Sequence, residues 1–203
     1  MFDFSKEYAL ENDRVRLLPL RFEHVNALSD EFIDERIWIY FTDKVKDKYS
    51  LIHYVKTALM ERENEREYPF VIMDKRTSKI AGMTRIYEIN KTLKTIKIGH
   101  TCLAFNYWGK GVNQFAKYLL FQFAFEHLNM LRIGFGIHGE NERSKKAIIN
   151  LGCQMEGVIR DYFESIHEKV RADLMLFGIL LNEWQELSKK IDRSKYFNRT
   201  KLV

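Results

Sequence analysis

The stretch with the most chemical content is Leu103-Ala-Phe-Asn-Tyr-Trp-Gly-Lys-Gly-Val-Asn113. Its pattern predicts a strand that runs into a loop holding Gly109 and Gly111, with a helix starting at once. Glycines there permit positive φ and close approach of a ligand. A helix start leaves N–H groups unpaired and carries a partial positive charge. Strand, glycine loop and helix start together make a cradle for a phosphate or pyrophosphate. Lys110 and Lys117 add positive charge beside it. The spacing Asn-x-x-Gly-x-Gly is neither the Walker A motif nor the three-glycine dinucleotide fingerprint. Taken alone, it also fits an ordinary strand-to-helix turn.

A second helix start follows at Asn141-Glu-Arg-Ser144, just beyond another expected strand. Asn141 is a natural N-cap, and Ser144 falls in the first turn. Ala147, Ile148 and Leu151 make the apolar face, and Gly152 closes the helix. The other reactive side chains show no pattern. His24, His53, His127, His138 and His167 have no metal-ligand spacing. Cys102 and Cys153 form no C-x-x-C pair and have no histidine neighbour in sequence, so an acyl-cysteine intermediate is not expected. They read as reduced, buried thiols.

The elements that must position these residues alternate clearly. Residues 14–20 read as a short strand with Val15 and Leu17 on one face. Residues 21–35 read as a helix with Val25, Leu28 and Phe32 at helical spacing. Ser50 reads as the N-cap of a second helix carrying Ile52, Val55 and Leu59. Three strands follow at 68–74, 80–90 and 95–105, joined by short polar segments suited to hairpins. A mostly apolar helix at 112–128, a strand at 131–137 and the helix at 142–151 come next. Two strands, 156–165 and 170–181, flank Ile166-His-Glu-Lys169, and a short helix holds Trp184 and Leu187. The first ten residues show no period and are expected to lie across the surface. The tail from Asp192 is basic and expected to be loose. The order predicts a mixed α+β or α/β sheet layered by helices.

Composition removes several classes. A chain of 203 residues predicts one domain. Its aromatic content of 14% supplies a packed core and excludes intrinsic disorder. No apolar run approaches the ~18 residues of a membrane span. The start, Met-Phe-Asp-Phe-Ser-Lys-Glu, carries an acid where a secretory signal has a positive region. These features predict a cytoplasmic protein with no membrane partner. The net charge of +5 suits an anionic ligand and does not indicate nucleic acid.

In order and spacing, Asn106-Tyr-Trp-Gly-Lys-Gly111, Asn141-Glu-Arg-Ser144 and Gly152 resemble a GNAT-type N-acetyltransferase. More narrowly, the chain resembles the ribosomal-protein-alanine acetyltransferase (RimJ/RimL-like) branch. Arg14-Val-Arg-Leu-Leu-Pro-Leu, Ile80-Ala-Gly-Met-Thr-Arg, Ile98-Gly-His-Thr-Cys-Leu-Ala and Glu156-Gly-Val-Ile-Arg160 add to the resemblance, which covers about residues 10–187. It implies a single domain over 1–191 with a basic tail at 192–203. The implied sheet is mixed, mostly antiparallel and splayed, with about seven strands and acetyl-CoA in the gap. Leu103, Ala104 and Phe105 would pair with the pantetheine arm and supply an N–H to the oxyanion. Trp108, Gly109, Lys110, Gly111, Val112 and Asn113 would surround the pyrophosphate. Asn141 would contact pantetheine, and Lys145 or Lys146 would reach the 3′-phosphate. No metal is implied.

The implied reaction is direct attack of a primary amine on a thioester. The acceptor is a protein N-terminus or a small-molecule amine. Many relatives place a tyrosine acid seven residues after the motif asparagine, and this chain has Ile148 there. Ser144 is the substitute, as a hydrogen-bond donor to the sulfur; its other role is to cap the helix. His100 and Glu164 are the candidates for the base, with Asp161 beside Glu164. Trp38, Tyr40, Arg85, Tyr87 and Tyr162 are candidate walls of the acceptor pocket, with Arg85 orienting a carboxylate or pairing with Glu88 or another acid. The missing tyrosine keeps a second expectation open, an acyl-CoA-binding or protein-interaction module without turnover. The branch often forms dimers, so a homodimer is a further expectation.

Overall fold

The structure is a computed structural model and describes residues 2–28, 31–167, 171–192 and 196. In chain order the elements are β1 (Leu10–Glu11), β2 (Val15–Pro19), α1 (Val25–Leu28), α2 (Glu35–Trp38), α3 (Lys48–Glu63), β3 (Glu67–Asp74), β4 (Lys79–Asn90) and β5 (Thr95–Leu103). Then come α4 (Val112–Gln122), β6 (Arg132–His138), α5 (Glu142–Asn150), β7 (Gln154–Glu164), β8 (Arg171–Leu180) and α6 (Leu181–Lys190). The strands form one eight-stranded sheet, ordered β1-β2-β3-β4-β5-β6-β8-β7. Seven strands were expected; the eighth is the two-residue β1, paired to β2 at Leu10 and Leu17.

Most neighbours are antiparallel, and β5 with β6 is the parallel pair. The central strand β3 is apolar almost throughout because both its faces are covered. Helix α4 packs on the sheet and is buried from Ala116 to Gln122. The β5–β6 pairing stops early. Only Thr95 to Lys97 face Arg132 to Gly134. Beyond it, His100 and Thr101 of β5 stand opposite Thr84 alone on β4. This bulge, with His100 at φ +48°, bends β5. Strand β6 instead stays paired to β8 over its full length. The two halves of the sheet therefore diverge.

Three expectations need correction. The first residues are not a surface strap: Phe2, Phe4 and Tyr8 are buried and pack around Tyr68 and Phe123. An irregular plug fills the core without a period, so pattern reading misses it. The helix over 21–35 is broken into a 3₁₀ turn at Phe22–His24, α1 and α2. Asp34 caps α2 by accepting from the Arg36 N–H, which starts a new helix inside the expected one. Helix α3 begins before Ser50: Asp47 is its N-cap, and Ser50 completes the capping box from the third position. Of the tail, Asp192 and Tyr196 are described, and Tyr196 packs on Phe115 with ring centroids 4.6 Å apart. The rest of the tail, and 168–170 between β7 and β8, lie outside the described residues.

Candidate active site

The diverging ends of β5 and β6 enclose a cleft of about 820 Å³. That is within the size range of small-molecule sites. Its β5 wall runs from Ile98 to Leu103 and its β6 wall from Phe135 to His138. The starts of α4 and α5 stand at its mouth, because each helix follows the strand that forms one wall.

The mouth beside α4 presents open backbone donors. Gly109 and Gly111 take φ values of +71° and +80°, which a side chain would resist. Gly111 is the N-cap, so no side chain satisfies the first N–H groups of the helix, and the first turn carries no acid. Those donors and the helix dipole face the mouth uncompensated. Trp108, Gly109, Gly111 and Asn113 line the cleft. Trp108 donates from Nε1 to the Leu103 carbonyl at 2.8 Å, tying the loop to the end of β5. Phe105 and Lys110 are exposed, Ala104 and Val112 are buried, and none of the four is on the cleft wall. Helix α5 differs, since the Asn141 side-chain Oδ1 accepts from the Ser144 N–H at 3.0 Å and caps it. Asn141, Ser144 and Lys146 line the cleft. Lys145 is committed elsewhere, donating to the Gly139 carbonyl at 2.7 Å and pairing with Glu142.

Leu103 lines the cleft, but the end of β5 is more occupied than expected. Ala104 donates its N–H to the Ala81 carbonyl at 3.0 Å, and the Leu103 carbonyl is taken by Trp108. The part of β5 without a strand on its β6 side is Ile98 to Leu103.

His100 lines the cleft from the β5 bulge, against the edge of the Tyr87 ring. Its Nε2 lies 3.9 Å from Glu67 Oε1, while Glu67 Oε2 accepts from Arg85 at 2.8 Å. Burial, helped by the Arg85 cation, holds the His100 pKa below the usual 6.5, against the opposing pull of Glu67. The imidazole is therefore neutral at neutral pH and able to accept a proton. Glu164 does not join it: the side chain is exposed and off the cleft wall, and its backbone carbonyl meets His138 Nε2 at 3.0 Å. Cys102 lines the cleft as well, but burial pushes its thiol up to about 12. It is no nucleophile at neutral pH.

Of the expected acceptor walls, Tyr40, Tyr87 and Tyr162 line the cleft. Trp38 does not. It is buried beneath them, donates from Nε1 to the Phe32 carbonyl at 2.6 Å, and packs on Phe41 and Tyr54. Arg85 is also behind the wall, paired with Glu67 and lying over the Tyr54 ring, so it does not reach a substrate carboxylate. Glu88 pairs with Lys97 instead.

Sequence reasoning missed four features of the site. Glu67, on β3, stands against both Arg85 and His100. Tyr40, His138 and Phe163 form a continuous row of rings along the cleft, with centroids 5.3 and 4.8 Å apart, the first pair tilted and the second stacked. Arg143 lies 3.3 Å above the Trp108 ring and so joins the two helix starts. Lys117 is a buried lining residue, not a surface charge. Only Lys117 left a signal, a lysine inside an otherwise apolar run.

The family model for the acetyltransferase (GNAT) domain matches residues 14–154. The chain belongs to this family and is an acetyltransferase. It is similar to the uncharacterized N-acetyltransferase p20 of Bacillus licheniformis, 28% identical over 180 residues, with 86% of this chain and 97% of that one covered. Among solved structures, a GCN5-related N-acetyltransferase from Brucella melitensis superposes with a TM-score of 0.81 at 21% identity, over 92% of this chain and 85% of that one. The ribosomal-protein-S5-alanine acetyltransferase of Vibrio fischeri superposes with a TM-score of 0.69 at 19% identity, over 87% and 98% of the two chains. These two structures share the fold, including the mixed sheet described above.

Proposed function

We propose that the protein transfers acetyl from acetyl-CoA to a primary amine, by direct attack in a ternary complex. One observation carries this reading. The sheet opens where an uncapped glycine helix start meets a cleft holding a neutral, half-buried imidazole. The free N–H groups at Gly111 to Asn113 suit the pyrophosphate. The unpaired edge of β5 from Ile98 to Leu103 suits the pantetheine amides and supplies the oxyanion donor. In this reading Ala104 and Phe105 do not. Lys146, rather than Lys145, reaches toward the 3′-phosphate.

His100 accepts the proton of the attacking amine, and Arg85 and Glu67 position it. Ser144 hydrogen-bonds the departing sulfur; a serine hydroxyl is too weak an acid to do more. An α-amine with a pKa near ~8 is partly neutral at physiological pH, whereas a lysine amine near ~10 is not. A base with a pKa below that of free imidazole therefore suits an α-amine. This agrees with the RimJ/RimL-like resemblance, and we take a protein N-terminus as the acceptor. Tyr40, Tyr87 and Tyr162 bound its pocket. The same reading takes 1–191 as one catalytic domain with a basic tail and places it in the cytoplasm, where Cys102 and Cys153 stay reduced. It has no nucleic-acid partner, and a homodimer is compatible with it.

The test is thiol release from acetyl-CoA across peptides with N-terminal Ser or Ala, spermidine, free amino acids and aminoglycosides. Release that depends on the peptides is expected. Release only with spermidine or aminoglycosides would replace the acceptor, and saturable CoA binding without release from any amine would remove the turnover.

A further inference from the structure

Lys117 is a buried amine that the proposed transfer does not use. It projects from α4, is 3% exposed, and lines the cleft. Its Nζ donates to Thr101 Oγ1 at 2.5 Å and Thr84 Oγ1 at 3.2 Å. The two hydroxyls also hydrogen-bond each other at 2.8 Å, so one of their protons lies between them and the other points to the Gly99 carbonyl, 3.3 Å from both. Their oxygens are thus left as acceptors toward Lys117. Two acceptors match the two N–H groups of a neutral amine and leave the third N–H of an ammonium without a partner. Among the described residues no carboxylate pairs with the group; its titratable neighbours are the thiols of Cys153 and Cys102, which burial pushes up to about 12 and so keeps neutral. Burial without a counter-ion pushes the amine down to about 7. Thr101 belongs to the β5 bulge, beside His100 and on the unpaired edge of the strand.

We propose that Lys117 is an internal acyl acceptor, acetylated by the enzyme's own acetyl-CoA when no amine substrate occupies the cleft. The proposal rests on the acetyl-CoA reading of this cleft. The lone pair of Nζ attacks the thioester carbonyl carbon. A C–N bond forms and the C–S bond breaks. The departing thiolate takes the proton released by the nitrogen, giving acetyl-lysine and free CoA. Acetyl-lysine keeps one N–H and fills space beneath the bulge, so the modified enzyme binds acetyl-CoA less well. The modification is a brake that acts when acceptor is scarce.

The first test uses the unaltered chain. The full chain is incubated with acetyl-CoA and no amine, sampled over time, and mapped by peptide mass spectrometry, with CoA affinity measured in parallel by calorimetry. Acetyl on Lys117 is expected, at a rate that saturates with acetyl-CoA, falls with added CoA, and is higher at about pH 8 than at about pH 6. Acetyl phosphate, a donor with no CoA moiety, is expected to label exposed lysines and leave Lys117 unmodified. CoA binding with Lys117 unmodified would overturn this proposal and leave the cofactor reading standing. An absence of CoA binding would overturn both. Lys117→Met is expected to abolish the label at that peptide while retaining saturable CoA binding.

Discussion

At the scale of single residues, the site depends on charges held where water is scarce. His100 is kept neutral by burial and by Arg85. Replacing it by Asn is expected to lower kcat/KM by about 10²–10⁴-fold, the usual range for a general base. The acid limb of the wild-type pH profile is expected below pH 6.5, the ordinary imidazole value. Arg85→Met removes a cation and leaves Glu67 facing His100, so the limb is expected to move to higher pH. A limb that stays in place would remove Arg85 from the electrostatics of the base. Lys117 makes a stability prediction. Its folded pKa is depressed to about 7 from 10.5, so between these values the unfolded chain binds the extra proton. Stability from this group then rises with pH across that window and is flat below it. Lys117→Met is expected to stabilise the protein most at neutral pH and least near pH 10, as read by urea unfolding at both ends of the window.

At the scale of elements, each helix start has a different task. The first turn of α4 is left open by Gly111, whereas α5 is closed by Asn141. An acid in the first turn of α4 would satisfy the helix dipole and repel a pyrophosphate. Asn113→Asp is therefore expected to leave the melting temperature unchanged or higher while weakening CoA binding by about tenfold or more, some 1.4 kcal/mol. Isothermal calorimetry and a melting curve on one sample separate the two effects. Strands β2 and β3 are pinned by a buried ion pair, Arg14 to Asp74 at 3.0 Å. Asp74→Asn leaves the guanidinium buried without its charge partner and is expected to cost about 3–5 kcal/mol in chemical denaturation. A cost below about 1 kcal/mol would mean that water reaches the pair.

At the scale of the whole molecule, the sheet is two blocks joined through three residue pairs of β5 and β6. A ligand in the gap touches both blocks and so binds the folded form alone. CoA at about 100 times its Kd is expected to add about 2.7 kcal/mol. For a chain of this size that is roughly 5–10 °C in melting temperature, measurable by calorimetry. No shift at the same CoA concentration would mean that the folded form does not bind CoA.

The local order was legible in the chain because periodicity and turn residues are local properties. Strands β3 to β6, the glycine loop and the caps of α5 follow from spacing alone, and so does the pairing of two helix starts with two strands. Other features needed distant parts of the chain to meet. The aromatic residues Phe2, Phe4 and Tyr8 have no period, and only Tyr68 and Phe123 give them a place. Trp38 and Tyr40 look alike in sequence, and the turn after α2 sends one into the core and the other into the cleft. Glu67 becomes a partner of His100 only because β3 and β5 flank the same strand, β4. The patterning of the chain thus determined most of its elements and the pairing of two helix starts with two strands. Which side chains line the cleft between them, and in which charge state, was decided by the tertiary structure, because burial and charge pairing arise from contacts far apart in sequence.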